Sequence, residues 1–302
     1  MGRRDRIVVD WGSSNFRAYR FSPDGTMRDR HQADAGILSV TDGRFEDMLE
    51  GQIGGWITPR SEILFSGMIT SRNGWIETPY VSCPATLAAI AGGAVTRTLE
   101  RGAVMRFLPG VSTLSPAPDV MRGEEIQVFG SVGAEESATV VLPGTHSKWV
   151  EVEQGAITGL RTFLTGEVFA LLRRHSIVGR LIPADEAEFD EAAFLRGVRQ
   201  AQDGASIGLL NDVFTARSGA LLDVFPAREI ADRLSGMLVG HELKSGLRLH
   251  AGRPRPIRLV GEGNLTQRYL KALDHLGHAA EIGPAHAAVE GFRCLSLLEE
   301  IA

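Results

Sequence analysis

A strand, a turn of glycine and hydroxyl side chains, and a second strand occur twice in this chain, 132 residues apart (Gly12 to Gly144). A sequence that repeats such a unit is most simply two copies of one fold. In the first copy Ile7-Val8-Val9 runs into Asp10-Trp11-Gly12-Ser13-Ser14-Asn15 and leaves through residues 16–21. In the second, residues 139–142 run into Pro143-Gly144-Thr145-His146-Ser147-Lys148 and leave through residues 149–152. Superposing Gly12 on Gly144 pairs Ser13 with Thr145 and Asn15 with Ser147. At 302 residues the chain exceeds what one hydrophobic core usually supports, so two domains of roughly 150 residues are expected. The boundary is expected beyond a helix ending near Gly133, giving lobes 1–135 and 136–302, with the last helix packing back on the first lobe.

Periodicity and breakers fill in the rest. Residues 37–40 predict a third strand, 44–56 a helix, 63–66 a strand running into Gly67, and 87–91 and 104–108 short strands or helices. Residues 124–132 predict a helix after the Ser- and Pro-rich stretch 114–118. In the second half, helices are expected at 168–174, 191–202, 227–249 and 265–276, with a strand at 257–260.

Composition excludes several classes. No apolar run approaches the roughly 20 residues of a membrane span, and three apolar residues before Asp10 are too few for a signal peptide. A cytoplasmic protein without membrane association is therefore expected. Cys83 and Cys294 stand alone in separate halves, which removes disulfide frameworks and CxxC metal sites and fits a reduced compartment. With 32 basic against 37 acidic residues, and no long charge run, a nucleic-acid partner is not expected. His175, His241 and His286 lack metal-ligand spacing.

Both hairpin turns carry phosphate-binding chemistry. Glycine lets the backbone come close, amides and hydroxyls can cradle phosphate oxygens, and a carboxylate such as Asp10 can hold Mg²⁺ through water. Taken alone, each is equally a decorated surface turn; the repetition favours a nucleotide gripped between two related lobes. Neither a Walker A spacing nor a G-x-G-x-x-G after a strand is present, so P-loop and Rossmann sites are disfavoured. Gly261-Glu262-Gly263-Asn264, between a predicted strand and helix, reads either as a place for a flat ligand or as a plain turn with Asn264 capping the helix. Phosphoryl transfer to a hydroxyl needs an acceptor-positioning carboxylate, for which Glu124 and Glu125 are candidates, although acidic residues also suit a first helical turn. In the loop 65–75, Ser66, Met68, Ser71, Arg72 and Trp75 are candidate contacts for a hydroxylated acid. Arg17, Arg72 and Arg122 compete for its carboxylate, and a surface loop anchored by Trp75 is the alternative.

These segments, together with Phe163-Leu164-Thr165-Gly166-Glu167, resemble the 2-dehydro-3-deoxygalactonokinases, within the sugar kinase, Hsp70 and actin superfamily. The resemblance extends over essentially the whole chain. It implies an α/β fold of two duplicated lobes of the actin-like ATPase (ribonuclease H-like) type with an interdomain cleft. It further implies that residues 10–15 form the first phosphate loop, 144–148 the second, and 261–264 the adenosine contact. Thr165 and Glu167 join the substrate set without a derivable role, and Glu124 is favoured over Glu125 as base. The implied activity is phosphorylation of 2-dehydro-3-deoxy-D-galactonate at its 6-hydroxyl with ATP and Mg²⁺, lobe closure excluding water. A kinase for another sugar or sugar acid, and an actin- or Hsp70-type nucleotide switch, are the alternative activities. A homodimer is a further expectation.

Overall fold

In the computed structural model, residues 6–22, 24–184, 188–203, 206–251, 255–261 and 263–298 are described. The first half opens with β1 (Arg6–Trp11), β2 (Phe16–Phe21) and β3 (Met27–Ala33), then α1 (Phe45–Ile53) and β4 (Glu62–Ser66). It continues through β5 (Val81–Ser82), α2 (Leu87–Gly92), β6 (Val95–Thr98), β7 (Val104–Phe107), β8 (Val111–Thr113), β9 (Asp119–Met121) and α3 (Glu124–Ser131). The second half begins with β10 (Ala138–Leu142), β11 (Ser147–Glu153), β12 (Ala156–Phe163) and α4 (Thr165–His175). After α5 (Glu191–Gln202), α6 (Leu209–Leu221) and α7 (Ile230–Ala251) come β13 (Ile257–Leu259), α8 (Asn264–His275), β14 (Ala280–Ile282) and α9 (Ala287–Leu298).

The duplication is visible in the sheets. One has the order β3-β2-β1-β4-β7-β6 and the other β12-β11-β10-β13-β14, so each places its first strand centrally, with the next two strands on one side and later strands on the other. In the first sheet β1 pairs antiparallel with β2 and parallel with β4; in the second β10 pairs parallel with β13. A third, small sheet has the order β5-β8-β9. This is an α/β fold of two duplicated lobes. The chain divides into two compact units, Met1–Ser137, Val150–Leu160 and His286–Ala302 in one, Ala138–Trp149 and Arg161–Ala285 in the other.

In the first unit, Ile7, Val8 and Val9 of β1 are all buried, as a central strand covered on both faces requires. On β2, buried Phe16 and Ala18 flank the part-exposed Arg17, which alternation turns to the opposite face. Trp11 meets Phe16 edge-on at 4.9 Å, and Phe65 stacks on Phe107 at 4.7 Å, making an aromatic floor under the ends of β1 and β4. Helix α3 crosses α9 at close range. A β-carbon on Gly130 would lie 1.8 Å from the Ala287 carbonyl oxygen, and one on Gly291 would lie 1.9 Å from that of Ile126, so only glycine permits the crossing. The second unit buries Val141, Trp149, Phe194, Leu243, Leu259, Tyr269 and Leu273 in one cluster, with Val213, Ile230 and Leu234 in another.

Three local expectations are corrected. Residues 37–40 are no strand: Ile37–Ser39 forms a 3-10 turn, and the third strand is β3, whose mostly exposed residues show no apolar alternation. Asn264 does not cap α8; Gly263 holds that position and no side chain caps it. Helix α6 was not anticipated. Among the described residues, no helix is long and apolar enough to cross a membrane.

Candidate active site

The first unit gathers its carboxylates at the carboxyl ends of parallel strands, where open α/β sheets bind ligands. Asp10, near the end of β1, is in register with Arg17 on β2 and with Ser66 on β4. Its Oδ2 accepts from Arg17 Nη1 at 3.2 Å, and one fifth of its side chain remains exposed. Burial pushes the Asp10 carboxyl above its ordinary value, and the Arg17 charge and hydrogen bond oppose that shift. Immediately after Ser66 the chain turns at Gly67 (φ 93°), where a β-carbon would meet the Trp11 carbonyl oxygen at 2.9 Å and Asp10 Oδ1 at 3.2 Å. A β-carbon on Gly123 would in turn touch the Gly67 Cα at 3.1 Å, so two glycines let the start of α3 approach Asp10.

Glu124 and Glu125 open α3 and differ sharply. Both oxygens of Glu125 accept from the Gly123 amide, at 2.9 and 2.8 Å, Ser66 Oγ donates at 3.4 Å, and the residue is 1% exposed. Desolvation, reinforced by the Glu124 charge, pushes its carboxyl to about 8. Glu124 is only partly buried, and its Oε2 accepts from the Arg122 amide at 2.9 Å. Two adjacent carboxylates are thus set apart by environment, Glu125 enclosed and held above the ordinary carboxylate range and Glu124 partly exposed.

The turn at residues 12–15 is held by backbone alone. Gly12 N–H donates to the Asn15 carbonyl at 2.9 Å, and the amides of Gly36, Ile37 and Leu38 donate to the carbonyls of Ser14, Gly12 and Ser13 at 3.0–3.1 Å. The side chains of Ser13, Ser14 and Asn15 are exposed and make no hydrogen bond among the described residues. This supporting segment overlaps residues 37–40, for which a strand is expected from sequence; Gly36 immediately before the apolar pair Ile37-Leu38 is the sequence signal for a turn.

The predicted acceptor loop is partly committed to structure. Ser71 Oγ donates to the Met68 carbonyl at 2.7 Å, Met68 opens a 3-10 turn, and exposed Arg72 pairs with Glu77 at 3.4 Å. Trp75 packs into the aromatic floor, stacked 6.1 Å from Phe45. Arg122 is a clamp: Nη1 donates to the Thr70 carbonyl and to the hydroxyls of Thr70 and Thr78 at 2.6–2.7 Å, Nη2 to the Thr78 carbonyl at 3.1 Å, and the guanidinium lies 4.3 Å over the Tyr80 ring. Its two terminal nitrogens are committed within the protein, while Nε is buried without a hydrogen-bond partner among the described residues, which leaves Arg17 and Arg72 as the more available of the three arginines.

In the second unit, Gly144, Thr145 and His146 form the turn after β10, the last two exposed. Ser147 and Lys148 belong to β11 and are buried; Ser147 Oγ donates to the Leu142 carbonyl at 3.4 Å and Lys148 Nζ to Thr162 Oγ1 at 2.8 Å. Thr165 and Glu167, at the start of α4, sit on this turn: the Glu167 amide donates to the Thr145 carbonyl at 3.0 Å, and Glu167 Oε2 lies 2.5 Å from His146 Nε2. Beside the turn is a cavity of about 240 Å³ lined by Gly144, Thr165, Phe169, Leu238, Leu265 and Arg268, among others. Phe169 and Leu238 were not singled out from sequence, because apolar helix positions read as core, and Arg268 because a charged helix position reads as solvated surface. Gly261 and Gly263 precede α8, Asn264 is its first residue, and Glu262 lies outside the described residues.

A single carboxylate, Asp10, with neighbouring exposed hydroxyls suits Mg²⁺, which binds proteins through one or two carboxylates and otherwise through water and substrate phosphates. Among the described residues there is no cluster of three or more His, Cys, Asp or Glu that would make an all-protein metal cage.

The profile of the family described as 2-keto-3-deoxy-galactonokinase matches residues 10–294. A protein of Rhizobium meliloti (strain 1021) described as "probable 2-dehydro-3-deoxygalactonokinase" is 35% identical over 275 residues, 89% of each chain. The 2-dehydro-3-deoxygalactonokinase of Escherichia coli (strain K12) is 32% identical over 272 residues, 90% of each. A crystal structure of a Sinorhizobium meliloti protein, described as a "putative 2-dehydro-3-deoxygalactonokinase protein", is 33% identical and superposes with a TM-score of 0.88, covering 97% of this chain and 99% of that one.

Proposed function

The chain belongs to the 2-keto-3-deoxy-galactonokinase family and is a sugar-acid kinase; from that premise we propose that it transfers the terminal phosphoryl group of ATP to the 6-hydroxyl of 2-dehydro-3-deoxy-D-galactonate. The products are the 6-phosphate and ADP, in galactonate catabolism. The observation that carries the reading is the convergence of Asp10, Ser66, Glu124 and Glu125 at the ends of β1, β4 and the start of α3.

Glu124 is the base. It is the carboxylate open to a substrate, and the acceptor hydroxyl passes its proton to Glu124 as its oxygen attacks phosphorus. Glu125, neutral and enclosed, holds the Gly123 amide and Ser66 and so fixes the turn that presents Glu124. Asp10 would hold Mg²⁺ through water, and the ion, when bound, neutralises phosphate charge. Ser13, Ser14 and Asn15 in the first unit, and Gly144, Thr145 and His146 in the second, offer amides and hydroxyls to phosphate oxygens. The adenosine would lie along Gly261, Gly263 and Asn264, toward the cavity that Leu265 and Arg268 of the following helix line. Arg17 or Arg72 meets the substrate carboxylate, with Ser71 nearby for hydroxyls.

The test is ADP release on mixing the protein and Mg-ATP with a panel of aldonic and 2-keto-3-deoxy acids. Turnover with 2-dehydro-3-deoxygalactonate above the others is expected; ADP release indifferent to every acid overturns the reading.

A further inference from the structure

Glu242 has no place in the chemistry above, yet among the described residues it is the acid of the second unit with the most side-chain hydrogen bonds. It sits in the middle of α7 and is 3% exposed. Its Oε1 accepts from Trp149 Nε1 at 2.9 Å; its Oε2 accepts from Tyr269 OH at 2.6 Å and from Thr165 Oγ1. Tyr269 OH also lies 3.3 Å from Ser147 Oγ, whose hydroxyl donates to the Leu142 carbonyl. Burial of a carboxylate is costly unless such partners satisfy it, so a fold that keeps one there gains a fixed geometry in return.

The partners sit where that geometry matters. Leu142 and Ser147 flank the turn 143–146. Thr165 begins α4, and a β-carbon on the next residue, Gly166, would lie 2.5 Å from the Gly144 carbonyl oxygen and 2.7 Å from the Thr145 Cα. Tyr269 is in the second turn of α8 and lines the cavity together with Thr165. One buried carboxylate therefore ties β11, α4, α7 and α8 together directly beneath the turn.

We propose that Glu242 is a positioning residue for the nucleotide, holding the start of α4 and Tyr269 in register so that the Gly144–His146 backbone keeps the shape that receives phosphate oxygens. The proposal rests on the reading of that turn as phosphate-binding. Glu242 acts through its partners and touches no reacting atom.

The experiment compares Glu242→Gln, Glu242→Leu and Trp149→Phe for KM of ATP, KM of the sugar acid and thermal unfolding, with Gly144→Val as a control in the turn itself. Glu242→Leu is expected to raise KM for ATP about tenfold, the equivalent of about one buried hydrogen bond, and to leave KM for the sugar acid within about twofold. Glu242→Gln rescues most of the loss, since its oxygen still accepts from Trp149 and the two hydroxyls can rotate to accept from its amide. A folded Glu242→Leu with unchanged KM for ATP, or with both KM values raised equally, overturns the proposal. Should Glu242→Leu not fold, Trp149→Phe with unchanged KM for ATP overturns it. Should folded Gly144→Val keep the KM for ATP of the unaltered protein, the phosphate reading of the turn fails and the proposal falls with it.

Discussion

Glu124 and Glu125 differ by one position in sequence and by their entire surroundings. Replacing Glu124 with Gln is expected to lower turnover about 10²-fold or more with ATP binding retained, as loss of a general base does; steady-state kinetics with nucleotide titration checks it. If Glu125→Gln shows that loss instead, the base is the buried neighbour. Glu125 also predicts a stability signature. Its carboxyl is held at about 8 in the folded protein against 4.5 ordinarily, so between those values the unfolded chain gives up a proton that the folded protein keeps. Stability from this group is full below pH 4.5, falls as pH rises and levels off above about 8. Glu125→Gln should therefore gain in melting temperature over the unaltered protein as pH goes from about 5 to about 9. Arg122, with four hydrogen bonds from its guanidinium to Thr70 and Thr78, predicts a structural loss: Arg122→Ala should destabilise the protein by about 2–4 kcal/mol in denaturant unfolding.

At the scale of elements, what could be read from sequence followed burial. β1 and β10 are apolar runs with both faces covered, and the helix at 191–202 carries an apolar stripe with Asp190 capping its start; pattern alone located all three. β3 is polar and exposed along its length and held by pairing with β2, a contact no local pattern encodes. Ile37 and Leu38 are apolar but serve a turn, and only Ile37 of the two is buried. The site was legible as motifs, whereas the cost of each motif was not: that the terminal nitrogens of Arg122 bind threonines, or that Lys148 is buried against Thr162, depends on residues distant in sequence. The α3–α9 crossing makes a prediction at this scale. Gly291→Val, placing side-chain atoms against the Ile126 carbonyl, should cost about 1–3 kcal/mol in thermal unfolding and lower turnover, because α3 carries Glu124 on its first turn.

For the whole molecule, duplication explains why two unlike jobs sit on one plan. Each sheet presents a turn after its first strand; the first unit adds the carboxylates of α3, and the second adds the cavity and the α4 clamp. A chain shortened to end at residue 285 keeps all of these motifs but lacks α9, and it is expected to show no sugar-acid turnover by ADP release. The same helix governs the order of events on the ribosome. The unit that is begun first requires residues made after the second unit's own segments are complete at residue 285, so the face of α3 that α9 covers stays open through synthesis of the whole second unit. A nascent chain of this kind completes the segments of its second unit before those of its first and carries an exposed apolar seam until α9 emerges, which is where a chaperone would find it.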